Sequence, residues 1–426
     1  MTGTRPAAAE GGRSPDPARS CPAEGRRAMP LHGPRMQQAP AGLYQEMREQ
    51  FGGIAPVELD GGVPAWLVLG YHEIQQVAAN GELFARDPRL WSGWETVPED
   101  WGLMSYVGRV RSVGLLEGAE HRRRARVLGE AMDQVDRFEL QRLCEQVADR
   151  LIDEFAATGS ADLIAQYTHR LPMRVIAEVL GVPPADIPDL ERDLGLLLEM
   201  TEESYAALER FVARIRQLAR DRIAEPRDDV AGRMGAHEEG LNEQELADDL
   251  STVLGTAPPT TGHWIGNALR LMLTDPDFAA SLGEGRRSTT KVLGEVLWED
   301  TPTQNYIGRF ATRDTELGGF RISTGDMLIL GLAPGNSDPA VRPNSTADAV
   351  GNSAFLSFGT SDRGCPQPAP ELAEIIARTG IEVLLDRLPD LELAVRPDEL
   401  VWEQSMYLRG LTALPVRFNP SYLVGA

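Results

Sequence analysis

Phe358-Gly359-Thr360-Ser361-Asp362-Arg363-Gly364-Cys365-Pro366 is the stretch on which the reading of this chain turns. It places a lone cysteine after a glycine-containing loop and ahead of a helix expected from Glu371 to Leu388. A helix start presents a positive end that steadies a thiolate. Pro366, Pro368 and Pro370 crowd that start, which suits a first turn because proline needs no amide partner there. Pro366 and Pro368 also bring no N–H toward the sulfur, leaving Gln367 as the main nearby backbone donor and the sulfur electron-rich. By itself Cys365 has two readings, a soft anionic ligand or an inert buried thiol on a turn.

Composition narrows the class without deciding it. A chain of 426 residues could hold several domains or one large helical enzyme domain, and 42% hydrophobic with 25% charged residues suits a globular core. The formal charge of -22 argues against general nucleic-acid binding, which needs clustered cations. No run of eighteen apolar residues suggests a membrane span. Cys21, Cys144 and Cys365 are far apart and form no CxxC pair, so no disulfide framework or zinc motif is expected, and a reducing cytoplasmic setting fits. Residues 1–35, rich in Ala, Gly, Pro and Arg, read as a disordered extension, and residues 36–426 as one folded domain.

Working outward, Ile54 to Leu59 and Ala65 to Leu69 alternate like paired strands around Asp60-Gly61-Gly62, after a short helix at Leu43 to Met47. Helical periodicity then dominates over Arg126–Met132, Phe138–Ala156, Ala161–Leu180, Ala206–Ile223 and Glu243–Leu273, with breaks at Gly181-Val182-Pro183-Pro184 and Glu225-Pro226-Arg227. After a helix at Lys291 to Trp298, strands are expected at Arg309–Arg321, turning at Leu317-Gly318-Gly319, and at Met327–Leu332; short strands return from Leu391 to Phe418. The economical architecture is mainly α with a small β region.

The opening stretch resembles the cysteine loop of the cytochrome P450 family, Phe-x-x-Gly-x-Arg-x-Cys-x-Gly, with Phe358, Arg363 and Cys365 in place and Ser361 and Gln367 where glycines are usual. Companions follow in the family's order. Glu120-His121 resembles the early haem-contacting helix, although the expected His-x-x-x-Arg has Ala125 at its last position, between Arg124 and Arg126. Arg309 stands where an arginine binds a haem propionate, and Phe355 where a histidine is usual ten residues before the cysteine. Gly255 to Asn267 is similar to the distal-helix motif Ala-Gly-x-Glu-Thr-Thr through Thr260-Thr261, with Pro259 at the acid position. Two adjacent prolines there mean either a bend over a ligand or a junction of two shorter helices. His263, three residues on, reads as a second ligand or base, or as a structural residue.

Glu295-Val296-Leu297-Trp298 replaces the usual Glu-x-x-Arg, and the run Glu299-Asp300-Thr301-Pro302-Thr303-Gln304-Asn305 follows it. That pair of features resembles an atypical actinobacterial branch of the family. Losing the arginine strands the Glu295 charge unless a loop arginine or the Trp298 indole N–H serves it.

The resemblance covers about residues 30 to 420. It implies a single-domain cytochrome P450 fold, haem b (iron protoporphyrin IX) ligated by Cys365, cofactor contacts at His121, Arg309, Phe358 and Arg363, and catalytic hydroxyls at Thr260 and Thr261. It further implies a monooxygenase acting on a small hydrophobic or aromatic molecule, with electrons from a separate ferredoxin and ferredoxin reductase. Trp94, Met104, Ala257 and Pro258 are the implied substrate-pocket positions, within an aromatic stretch that also holds Trp91, Trp101 and Tyr106 and that reads equally as core. Arg122-Arg123-Arg124 is a docking surface for an acidic ferredoxin or a solvated helix face. Some relatives of the branch are encoded beside small-GTPase and roadblock-type signalling proteins, which raises a signalling partner. The missing distal acid keeps two alternatives open: haem chemistry other than monooxygenation (peroxide-driven, coupling or rearrangement), and a P450-fold binding or regulatory protein with impaired catalysis.

Overall fold

The structure is a computed structural model that describes residues 28–95, 97, 101–103, 107–108, 111–199, 202–275, 288–342 and 352–420. Its spine is the helix the sequence marks most strongly. Asn242 caps it in a reciprocal box, accepting from the Glu245 amide at 3.0 Å while its own amide donates to the Glu245 carboxylate at 3.1 Å.

The helices are α1 (Pro34–Gln38), α2 (Pro40–Phe51), α3 (Tyr71–Ala79), α4 (Gly118–Asp133), α5 (Arg137–Asp153), α6 (Arg170–Leu180), α7 (Ile187–Glu199), α8 (Glu202–Ala224), α9 (Val230–Gly235), α10 (Glu243–Thr274), α11 (Thr289–Glu299), α12 (Leu332–Asn336) and α13 (Ala369–Arg387). The spine, α10, runs 32 residues and packs against α6, α8, α11 and α13. Pro258 and Pro259 lie inside it, so this is one continuous helix and not the junction of two. Among the described residues no helix is long and apolar enough to cross a membrane.

Strands β1 (Met29–Pro30), β2 (Ile54–Leu59), β3 (Val63–Val68), β4 (Phe84–Ala85), β6 (Tyr306–Ala311) and β9 (Met327–Leu330) form the main sheet, in the order β1-β2-β3-β9-β6-β4. Strands β5 (Ser160–Asp162), β10 (Glu392–Leu393) and β11 (Pro415–Arg417) make a second sheet, and β7 (Thr315–Leu317) pairs with β8 (Phe320–Ile322). The expected β2–β3 pairing and the Leu317-Gly318-Gly319 turn are both present.

Three expectations change. Met29 and Leu31 are buried and β1 pairs with β2, so the packed chain begins several residues before the boundary placed at 36, the apolar Met29 and Leu31 having been outweighed by the polar stretch before them. The helix expected over 161–180 is instead strand β5, a π turn at Ile164–Thr168 and then α6, because the Ala161 and Asp162 backbone is drawn into pairing with β11. Helix α7 lies outside the stretches that periodicity marks as helical; it packs against α8.

The Thr301 to Asn305 run is a knot between the sheet and the C-terminal segment. Gln304 donates to the Ser405 and Leu408 carbonyls at 2.7 and 2.9 Å, and Asn305 donates to the Met406 carbonyl and the Tyr44 hydroxyl at 2.7 and 2.8 Å. Side-chain amides supply the donors of this pairing in a region where strands are short.

Candidate functional site

Cys365 and Cys144 separate the two fates of a lone thiol. Cys144 is sealed in the α5 core, donates weakly to the Ile376 carbonyl at 3.5 Å and is pushed by burial up to about 12. Cys365 is also pushed up to about 12 by the protein around it, yet its surface is exposed. Cys365 is thus an exposed residue whose thiol is still crowded by protein, unlike the sealed Cys144. The loop is closed by the Cys365 amide donating to the Phe358 carbonyl at 2.7 Å. Gly359 takes φ +74° and Ser361, at a usual glycine position, φ +63°. The Ser361 hydroxyl donates to the Ala78 carbonyl at 2.8 Å, which offsets part of the cost of left-handed backbone at a residue with a Cβ. Across from Gln367, Gly129 of α4 leaves room: a Cβ there would stand 3.1 Å from the Gln367 carbonyl oxygen.

Phe358 packs edge to face on Trp264 of α10, with ring centroids 5.7 Å apart, and so sets the loop against the long helix. Phe355 packs edge to face on Trp298 and supplies no imidazole.

Arg309 comes from a bulge. Tyr306 pairs with Leu330 but Arg309 with Leu328, so β6 holds one extra residue, and Gly308 in that interval takes φ +96°. The bulge carries Arg309 to 1% exposure, where its Nε and Nη1 have no hydrogen-bond partner. Burial, with Arg86 nearby, pulls its guanidinium down to about 9. His121 on α4 is buried and pushed down, first by burial and then by Arg309, Arg122 and Arg86 against the opposing pull of Asp362. Arg363 donates to the Leu116 carbonyl and is ion-paired with Glu117, so its charge ties the cysteine loop to the start of α4. Burial and Arg86 bring it down to about 10.

Arg86 and Glu117 were missed by sequence reasoning. Arg86 spends its donors on the Gly114 and Ile307 carbonyls at 3.0 and 3.3 Å, stacks over Tyr306 at 4.4 Å, and its amide reaches Glu117. No spacing rule marks either residue, because both act across elements far apart in sequence. Neither neighbour of Ala125 replaces the expected arginine. Arg124 is buried in a two-bond pair with Asp249 at 2.7 and 2.8 Å, and Arg126 pairs with Glu239. Arg123 pairs with Glu245, so the basic run is largely consumed internally and leaves Arg122 as its exposed member.

On α10, Gly255 and Thr256 are exposed at mid-helix while the turns on either side are half-buried or buried. A Cβ on Gly255 would meet nothing within 4 Å. Thr260 is one turn on; its hydroxyl donates to the Thr256 and Ala257 carbonyls at 2.8 and 3.1 Å. Thr261 is buried, turned about 140° from Thr256 by helix geometry. Pro258 is buried too and Ala257 half-buried, so of the α10 positions expected in the pocket the open face instead favours Gly255 and Thr256.

The aromatic stretch is core. Trp91 contacts Trp94, Trp101 and Phe310 at centroid distances of 4.9, 5.6 and 6.3 Å, and the Trp94 and Trp101 indoles donate to the Pro88 and Asp60 carbonyls at 2.6 and 2.8 Å. Trp94 is thereby a packing residue, while Met104 and Tyr106 lie outside the described residues.

The Glu295 position is half-buried. The Trp298 indole N–H goes to the Asn352 carbonyl at 3.0 Å, not to Glu295. Arg342 lies 5.1 Å over the Trp298 ring and pairs with Glu299 at 2.7 Å. Trp298 therefore links α11 to the segment that leads into the cysteine loop. Asn336 repeats that link, donating to the Leu297 carbonyl at 2.8 Å and accepting from the Leu356 amide at 2.7 Å.

No family model matches the chain. Mycinamicin IV hydroxylase/epoxidase of Micromonospora griseorubida is 31% identical over 390 residues, 88% of this chain and 95% of that protein. The solved cytochrome P450 PksS of Bacillus subtilis superposes with a TM-score of 0.79 at 26% identity, covering 91% of this chain and 99% of that one. The chain belongs to the cytochrome P450 superfamily. Vitamin D(3) 25-hydroxylase of Pseudonocardia autotrophica, 29% identical over 369 residues, 84% of this chain and 89% of that protein, adds a second hydroxylase. This P450 is a monooxygenase-type oxidoreductase that takes haem as its cofactor. Its own residues suit that group: a cysteine on an exposed loop, and a buried guanidinium short of an anion.

Proposed function

We propose that this P450 binds haem b through the Cys365 thiolate, holds the propionates with Arg309 and His121, and oxygenates a small hydrophobic molecule using electrons from a separate ferredoxin and reductase. Arg309 carries the proposal. A fully buried guanidinium without a carboxylate is a costly arrangement, and a planar carboxylate such as a propionate is the ligand its fork fits. His121 lies close enough to feel that charge, and Arg363 braces the loop through Glu117. The folded haem domain is taken to run from about residue 28 rather than 36.

When bound, haem supplies reductive activation of dioxygen and transfer of one oxygen atom to substrate, and a thiolate ligand favours O–O cleavage. The chain's part is to shape and supply that site. Gly255 and Thr256 keep the helix face open to a ligand. Thr260 holds a hydroxyl proton against the Thr256 and Ala257 carbonyls. Pro258 and Pro259 bring no amides, so the carbonyls of Leu254 and Gly255 lose their usual helical partners and are free to accept from water. With Pro259 at the acid position, the adjacent turn has no carboxylate, and proton supply falls to hydroxyls and water.

The carbon monoxide spectrum of the reduced protein tests the ligand. The expected result is the red-shifted Soret band of a thiolate-bound haem, lost in Cys365→Ser. Haem-loaded protein without that band, or a Cys365→Ser spectrum identical to the parent's, would overturn the assignment.

A further inference from the structure

Three metal-ligand donors outside the haem site converge beside α10. His263 projects from α10 about one turn past Thr260, His169 stands between the π turn and α6, and Glu403 comes from the C-terminal segment. One donor atom from each lies within 4.8 Å of the other two. His263 Nε2 is 3.5 Å from a Glu403 carboxylate oxygen, and the two imidazoles meet edge to face with centroids 4.7 Å apart.

The backbone is cut to fit these rings. A Cβ on Gly410 would fall 1.8 Å from Nδ1 of His263, and one on Gly262 would fall 2.9 Å from the Thr168 carbonyl oxygen and 3.2 Å from Cα of His169. Glu403 is held opposite by its amide, which donates to the Gly410 carbonyl at 2.9 Å, and by the bridge between Trp402 and Leu411. The polar accounting does not close. His263 is 2% exposed, and its Nδ1 and the Nε2 of His169 are buried without hydrogen-bond partners. The orphaned Nε2 of His169 points to a missing ligand in the cluster, whereas Nδ1 of His263 lies against Gly410 and is not the nitrogen that meets Glu403.

We propose that His169, His263 and Glu403 form a binding site for a zinc-type divalent transition metal, with a fourth position left for water. Two imidazoles and one carboxylate make a borderline donor set that suits zinc, whereas calcium and magnesium take oxygen ligands. Tetrahedral zinc with bonds near 2.0–2.2 Å sets its ligand atoms roughly 3.4 Å apart. The His263–Glu403 edge is already 3.5 Å, and the His169 donor lies within 4.8 Å of both, so it would move inward on binding. The metal would clamp the C-terminal segment and the start of α6 to α10. None of the three residues holds haem in the reading above, so the two proposals fail separately.

The test is a zinc titration of the full-length, tag-free chain as purified, after treatment with a chelator, in competition with a chromophoric zinc indicator. One equivalent should bind and raise the thermal midpoint. His169→Asn and Glu403→Gln, both only partly buried, should weaken zinc binding by more than the roughly 10–100-fold that loss of an outer-shell partner costs, and should abolish the midpoint shift. Unchanged circular dichroism in these variants separates ligand loss from misfolding. No stoichiometric zinc, equal affinity in parent and both variants, or tighter binding of magnesium or calcium would overturn the site.

Discussion

Arg309 shows what burying a single charged residue costs. Its guanidinium titrates at about 9 in the folded chain, well below its ordinary value, because burial penalises the charged form. A base depressed on folding costs stability at every pH below its folded pKa, and the cost is relieved only as the pH rises past about 9. Ligand-free protein at neutral pH therefore bears the whole penalty. Arg309→Leu should raise the urea midpoint of that form, by about 1–3 kcal/mol in unfolding free energy, while the variant retains less haem after gel filtration. A lowered midpoint would show that the guanidinium is paired after all. Ser361 is a smaller case of the same accounting: Ser361→Ala keeps the strained φ and loses the bond to Ala78, so it should be about 1 kcal/mol less stable than the parent, whereas Ser361→Gly should come close to it. Equal midpoints for the alanine and parent proteins would remove that role. Cys365 and Arg309 were singled out in the sequence because each is a residue type with one demanding chemistry. Arg86 was not, since its importance comes only from where the bulged strand and the turn before α4 meet.

Among elements, α11 shows the most distinct departure from its family. Trp298 stands in the place of an arginine, packs edge to face on Phe355 and donates its indole N–H to the Asn352 carbonyl. Reinstating the usual residue should not help. Arg342, with its side chain 8% exposed, already lies over the ring, so Trp298→Arg would bury a second cation beside it and forfeit the aromatic contacts. We expect a loss of about 2 kcal/mol or more by urea unfolding, with weaker haem retention through the loosened loop. A gain in stability would mean that the site around Glu295 accommodates an arginine at this position. Helices α10 and α13 and the β2–β3 hairpin could be read from periodicity and turn residues. The π turn and β5 could not, because their conformation is set by pairing with β11, a strand more than 250 residues later.

Across the whole molecule, charge is sorted by depth. The chain is strongly acidic overall, yet Arg86, Arg124 and Arg309 are buried, and the basic run on α4 is mostly paired within the protein. An acidic ferredoxin would find Arg122 there and little more. Composition gave the acidity but could not tell which cations face inward, since that depends on which helix face meets α10. The edge strand β1 has a consequence for how the protein is handled. Its two residues cover the outer side of β2, whose Ile54, Ala55, Val57 and Leu59 are fully buried. A shortened gene product beginning at residue 36 would leave that side with unpaired amides and carbonyls, a template for pairing with another chain. Light scattering should find it self-associating where the protein begun at residue 28 is monodisperse; equal behaviour of the two would show the edge to be protected by other means.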